Sequence, residues 1–175
     1  MNHRKILIAG KRVLLRSLTT KDATPRYVNW LNDPTVNKYL ETRKASLSQI
    51  RNYIKEKNSR PNTILLGIFY KINQLHIGNV KLEPIDFENT TAQLGLLIGD
   101  KDYWGMGLGT EVTQMVVSWA FGELKLKKLE LGVIGDNIAA IKAYQKAGFK
   151  VSSKKKNAIN HDDVLFDEVI MTINA

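Results

Sequence analysis

Tyr103-Trp104-Gly105-Met106-Gly107-Leu108-Gly109-Thr110 lies between a stretch that reads as a strand, Ala92–Gly99, and one that reads as a helix, Thr110–Leu124. Alternate glycines let several backbone N–H groups point at one place with no Cβ in the way. The following helix adds its unpaired N–H groups and the positive end of its dipole. Together these make an anion site suited to a pyrophosphate. Three phosphate-binding patterns compete with a plain strand-to-helix turn. A Walker A loop needs Lys-Ser/Thr after its last glycine, and Thr110-Glu111 follows Gly109, which excludes it. The dinucleotide fingerprint fits Gly105 and Gly107 but meets Thr110 where a third glycine belongs. Glu130 lies about 20 residues downstream, where that fold carries its ribose-binding acid, yet the strand here follows others and does not open a βαβ unit. A coenzyme A pyrophosphate loop is the third pattern.

A second informative run is Asp136-Asn137-Ile138-Ala139-Ala140-Ile141-Lys142-Ala143-Tyr144-Gln145-Lys146-Ala147-Gly148-Phe149. Asn137 suits an N-cap and Gly148 a C-terminal stop, which predicts a helix over Asn137–Ala147. Tyr144 follows Asn137 by nearly two turns, so both share one face. A ligand along that face can touch the Asn amide and the Tyr hydroxyl; capping and packing alone also account for both.

Working outward, Lys11–Leu18 reads as a first strand. Thr20 or Asp22 can cap a helix reaching Leu31, and Asp33-Pro34 starts a further helical turn. Ser46-Leu47-Ser48-Gln49 is a capping box before a helix ending near Asn58. Thr63–Lys71 and Leu75–Glu83 read as strands joined at Asn73-Gln74, followed by Leu129–Ile134, Phe149–Ser153 and Val164–Ile173. This order predicts a single mixed α/β (α+β) domain over residues 1–175, with its core about 11–173, and disfavours Rossmann and TIM architectures.

The 175 residues are 43% hydrophobic and 25% charged, ordinary for a globular domain. With no cysteine, disulfides and thiolate metal sites are excluded. Three scattered histidines show no ligand spacing, so no metal is expected. The longest strongly apolar run, Ile64–Tyr70, falls far short of the roughly 20 residues that span a bilayer. We expect a cytoplasmic protein with no membrane partner, as a monomer or homodimer. The net charge of +9 suits a phosphate-bearing ligand. Nucleic acid is disfavoured, because Lys125/Lys127/Lys128 and Lys154–Lys156 have no interleaved aromatic residues.

The run DYWGMGLGTE resembles motif A of the GCN5-related N-acetyltransferase (GNAT) superfamily, and DNIAAIKAYQKAGF resembles its motif B. WLNDPTVNKYLE, Trp30 to Glu41, resembles the ribosomal-protein N-acetyltransferase-like branch, which includes amino-sugar acetyltransferases. The resemblance implies a mixed, mostly antiparallel sheet, splayed in a V between the strand ending near Gly99 and Leu129–Ile134, with helices on both faces. It implies acetyl-CoA as co-substrate, paired with backbone groups near Leu97 and Ile98 and gripped by Trp104, Gly105, Met106, Gly107, Leu108, Gly109 and Thr110, with Asn137 and Tyr144 alongside. Arg or Gln often stands where this chain has Trp104, so a side-chain contact to phosphate is lost there while the backbone donors remain.

The implied reaction is direct attack of a primary amine on the acetyl thioester, after the amine has lost a proton. By resemblance, an N–H near Leu97 holds the oxyanion and Tyr144 protonates the leaving thiolate. Gln93 stands where related chains often carry Glu, and Gln cannot act as a base. Glu83, at the end of a strand beside the expected cleft, is the first candidate for that role. Trp30, Asn32, Tyr39, Glu41 and Arg43 are the acceptor-binding candidates. The acceptor is expected to be a small-molecule or peptide amine: an amino sugar, also in nucleotide-linked form, or a protein N-terminus. A non-catalytic coenzyme A-binding module is the alternative that Gln93 motivates.

Overall fold

Dense runs such as Val13-Leu14-Leu15 and Ile64–Tyr70 need apolar cover on both sides, and the fold supplies it with helices on each face of one sheet. The computed structural model describes residues 5–42, 44–161 and 163–175. In chain order the elements are β1 (Leu7–Ala9), β2 (Val13–Ser17), α1 (Pro25–Asn32), α2 (Leu47–Ser59), β3 (Ile64–Tyr70), β4 (His76–Asp86), β5 (Thr91–Ile98), α3 (Leu108–Gly122), β6 (Lys128–Ile134), α4 (Ile138–Lys146), β7 (Lys150–His161) and β8 (Val164–Asn174). The eight-stranded sheet runs β1-β2-β3-β4-β5-β6-β8-β7. Every adjacent pair is antiparallel except β5 and β6.

Two apolar clusters hold the layers together. On one face Leu108, Val112 and Val116 of α3 and Tyr144 of α4 meet Leu15, Ile68, Val80 and Leu131. On the other, Tyr27 and Trp30 of α1 and Ile50 and Ile54 of α2 meet Leu18, Leu65 and Phe69. A fully buried side chain of this size contributes about 1.5–3 kcal/mol. The capping box at Ser46 forms as expected: its hydroxyl accepts from the Gln49 N–H at 3.2 Å, and the Gln49 side chain accepts from the Ser46 N–H at 2.8 Å.

The parallel β5–β6 pairing is short. It joins Thr91 to Lys128, Ala92 to Leu129 and Gln93 to Glu130, and then ends. Beyond that point β5 stays with β4 as far as Ile98, and β6 stays with β8 as far as Ile134. A bulge in β4 between Leu82 and Ile85 lies level with the parting. Bulges bend and twist their strands, which accounts for the divergence there. The expected V is therefore present, open between Leu94–Ile98 and Leu131–Ile134.

Several elements differ from expectation, among them β1, a short strand ahead of the expected first one. The helix expected from Thr20 or Asp22 is a short 3-10 turn, Thr20–Asp22, followed by α1, whose cap is Thr24 with Pro25 in the first turn. Helix α3 begins at Leu108, two residues early, because Gly107 at φ 75° takes the capping position. Strand β7 runs to His161, well past the expected Ser153. It is an edge strand exposed for most of its length, so no apolar alternation marks it.

Candidate active site

Strand pairing decides which backbone groups face the V. Hydrogen-bonded and non-hydrogen-bonded pairs alternate along an antiparallel ladder. The Gly99 N–H donates to the Ile77 carbonyl at 2.9 Å. Two residues back, Leu97 and Asn79 are therefore the next hydrogen-bonded pair of the register. The Leu97 amide is committed to β4, which removes it as the oxyanion donor expected from sequence. The N–H and C=O groups of Leu96 and Ile98 face the open gap instead. The Ile98 carbonyl accepts from the Trp104 indole Nε1–H at 2.7 Å.

The Gly-rich turn takes the shape that its sequence suggests. Gly105 has φ 72° and Gly107 φ 75°, a region that any residue with a Cβ enters at a cost of roughly 1–2 kcal/mol. Leu108, Gly109 and Thr110 open α3, so their N–H groups have no intrahelical acceptor. The Leu108 side chain is buried in the core, which leaves only its backbone for a ligand. The Thr110 hydroxyl bridges to the Ala143 carbonyl of α4 at 3.4 Å. The turn is held from behind by Arg12, which sequence reading missed. Its Nη1 donates to the Met106 carbonyl at 2.7 Å, and its Nε donates to Glu111 Oε2 at 2.7 Å. Glu111 also accepts the Arg12 backbone N–H at 2.8 Å. An acid in the first turn of α3, 99 residues from Arg12, was the available signal, but nothing local named its partner.

Asn137 caps α4 through its Oδ1, which accepts from the Ala140 N–H at 3.2 Å. Tyr144 is 7% exposed and packs on Phe149 at 6.0 Å between ring centroids. Burial pushes its phenol up to about 12, so it stays protonated at neutral pH. Among the described residues its hydroxyl meets no hydrogen-bond partner, so its proton is free to be donated.

Glu83 does not fit the role of base. It lies at the closed end of the V, one residue from Leu82, whose β5 partner is Leu94. Lys57 Nζ lies 2.7 Å from both its oxygens, Lys81 Nζ 2.8 Å and Arg60 Nη1 3.2 Å away. The Thr63 hydroxyl donates to it at 3.0 Å. Partial burial works against ionisation, but the hydrogen bonds from Lys57, Lys81 and Thr63 and the Lys81 charge prevail and hold its carboxyl at about 2. A carboxylate so heavily neutralised is a fold-holding ion cluster.

Residues 12–150 match the family described as acetyltransferase (GNAT) domain. The chain belongs to the GNAT acetyltransferase family. It is 29% identical over 144 residues to the N-acetyltransferase p20 of Bacillus licheniformis, covering 80% of each chain. The fold is shared with a GNAT-family acetyltransferase from Bacillus anthracis, at TM-score 0.85 and 20% identity over 97% of this chain and 98% of that one. It is shared too with a spermidine N-acetyltransferase from Vibrio cholerae solved with CoA and spermine, at TM-score 0.84 and 20% identity over 93% and 95%.

In this GNAT acetyltransferase the N-terminal acceptor candidates separate. Trp30 is 5% exposed and is a core residue, packed on Tyr27 and His76 at 5.4 and 5.0 Å. Its ring lies so close under Gly99 that a Cβ there would stand 2.4 Å from it. Trp30 is thus a support for the β5–α3 loop and has no surface for an acceptor. Asn32 spends both side-chain groups on the Ala45 backbone, at 2.9 Å each. Tyr39 reaches across to the Asp136 carbonyl at 3.3 Å, joining the N-terminal region to the turn before Asn137. Glu41 is exposed, and Arg43 lies outside the described residues. A hollow of about 610 Å³ opens beside them, lined by Asn32, Pro34, Asn37, Lys44, Ser46 and Gln49 among others. Arg26 pairs with Asp100, and Lys101 Nζ lies 2.5 Å from Asp33, so α1 is pinned to the loop that leads into the Gly-rich turn.

Proposed function

We propose that this GNAT acetyltransferase carries the acetyl group of acetyl-CoA directly to the primary amine of a small, polar acceptor, an amino sugar being the class favoured, with its nucleotide-linked form supplying the negative charge that suits the chain's net charge of +9. The observation that carries the reading is the unpaired stretch between β5 and β6, bounded by the N-terminus of α3 and by a buried, protonated Tyr144. Free N–H groups at Leu108, Gly109 and Thr110, approached through Gly105 and Gly107, offer donors for a pyrophosphate. The exposed backbone of Leu96 and Ile98 offers a strand edge to the amide groups of pantetheine, as an added strand would pair. With Leu97 turned away, the N–H groups of Leu96 and Ile98 are the donors that β5 leaves for the oxyanion. Tyr144 supplies a proton to the departing sulfur.

The acceptor class rests on charge and on the hollow. Among the described residues that line it are Lys44 and several hydrogen-bonding side chains, and none of these is a carboxylate. That lining suits a hydroxyl-rich anion better than a polycation. The test is free-thiol release from acetyl-CoA with amino sugars, their nucleotide forms, polyamines and N-terminal peptides. Turnover is expected for amino sugars above the rest. Preference for polyamines or peptides overturns the acceptor class, and no turnover with any amine overturns the transfer reading.

A further inference from the structure

Along β6, Leu129, Leu131 and Val133 face the core under α3 and α4. Alternation therefore puts Glu130, Gly132 and Ile134 on the opposite face. On β8, Val169 and Met171 lie in the same core, so Glu168, Ile170 and Thr172 share that opposite face. There the Glu168 carboxylate leans over Gly132. A Cβ at position 132 would lie 2.5 Å from Glu168 Oε1 and 3.4 Å from its carboxyl carbon, so the carboxylate occupies the space that a side chain there would take. The register pairs Gly132 with Ile170 and Ile134 with Glu168, which places both groups in the half of β6 that has parted from β5. Across the gap, Gly95 on β5 leaves open space, with nothing within 4 Å of where a Cβ would stand.

Glu168 is also weakly neutralised. Lys155 Nζ is 3.7 Å away on a side chain that is 62% exposed, and the Glu168 side chain itself is 24% exposed. Glu130, on the same face, is held by Lys128 at 3.0 Å. Among the described residues, Glu168 is thus a carboxylate at the open half of the V that solvent reaches and that is paired only loosely, with the exposed Lys155.

We infer that Glu168 holds the acceptor's ammonium group and takes its proton. This rests on the transfer reading above. The ammonium gives one proton to the Glu168 carboxylate, and the freed lone pair forms the C–N bond to the thioester carbonyl carbon. The C–S bond then breaks with its electrons on sulfur, which takes the Tyr144 proton. The nitrogen's surplus proton restores the Tyr144 phenol, and Glu168 releases its proton to water. Tyr144 serves the gap from the α4 side and Glu168 from the other, so the leaving group and the nucleophile are handled on opposite faces of the sheet.

Glu168→Gln and Gly132→Ala test the assignment, with folding followed by circular dichroism and acetyl-CoA binding by calorimetry. Glu168→Gln is expected to bind acetyl-CoA as the wild type does. It should lose roughly 100-fold in kcat/KM for the best amine of the panel, the low end of what a positioned base supplies, and lose the acidic limb of the pH profile. Hydroxylamine, largely neutral at neutral pH, should react almost equally with both proteins. Gly132→Ala displaces the carboxylate and should show an intermediate loss with the same hydroxylamine rescue, which keeps the test decisive if Glu168→Gln misfolds. Wild-type turnover and pH profile in Glu168→Gln, or equal losses for the amine and hydroxylamine, overturn the role of Glu168 and leave the transfer reading standing. A wild type that binds no acetyl-CoA, or acetylates no panel amine, overturns both.

Discussion

The two ends of the β5–β6 junction use similar residues for opposite purposes. At the closed end the strands pair, and Glu83 is surrounded by Lys57, Lys81, Arg60 and Thr63. At the open end the strands part, glycines replace side chains, and among the described residues the cation paired with Glu168 is Lys155 at 3.7 Å. A carboxylate's position near a cleft says little about its job; the cations around it say more. One that is fully neutralised strengthens the fold, and one left short of partners can accept a charged substrate.

Replacing Tyr144 by Phe strikes the open end hardest. It should cost about 100-fold in kcat, near 2.7 kcal/mol, with acetyl-CoA affinity unchanged, as read by free-thiol release and calorimetry. Glu83→Gln strikes the closed end. It should lower stability by about 2 kcal/mol in urea unfolding and leave kcat alone, because three cations lose their shared acceptor. The pH dependence has a definite sign. The folded carboxyl lies at about 2 against an ordinary 4.5, so its stabilisation is complete above pH 4.5 and is lost as pH falls toward 2. Glu83→Gln should flatten that limb; a kcat effect as large as that of Tyr144→Phe would erase the contrast between the ends. Gly107→Ala forces a Cβ into φ 75° and should cost about 1 kcal/mol, seen as a few-fold higher KM for acetyl-CoA.

The smallest effect concerns the wall behind the open end. His76 is buried among Phe69, Tyr27 and Trp30, with Nε2 2.9 Å from Asn79 Oδ1 and Nδ1 unpartnered. Burial lowers its pKa from the ordinary 6.5, against the pull of the Asn79 hydrogen bond. Its neutral form carries no penalty above pH 6.5, and stability is lost as pH falls below that value. The loss should be small and absent in His76→Phe, as read by thermal unfolding while the pH is lowered below that value.

Much of this was legible in the sequence, for local reasons. Capping pairs such as Ser46/Gln49 and turn glycines such as Gly105 and Gly107 act within a few residues, so the helices and the glycine turn before α3 could be read directly. Helical spacing put Tyr144 on one face with Asn137, but its role as acid and the splay of the sheet came with the resemblance. The parts that escaped depend on distant partners. Arg12 and Glu111 meet across 99 residues. The commitment of Leu97 to β4 depends on strand register, which alternation of side chains does not fix. Trp30 looked available to an acceptor because its cover, Gly99 and His76, arrives from other strands. Glu168 was hidden by the same cause: Gly132 reads as a gap in a strand until its neighbour is known. Strand β7 escaped because both its faces are wet.

The indole of Trp104 rests on the Ile98 carbonyl, one of the few main-chain acceptors that the V leaves over. An incoming pantetheine amide would compete for that same oxygen. Occupancy would then displace the ring from its hydrogen bond, and the protein's own emission spectrum would register the event. A label-free fluorescence titration, with Trp104→Phe as the silent control, becomes available without adding any dye.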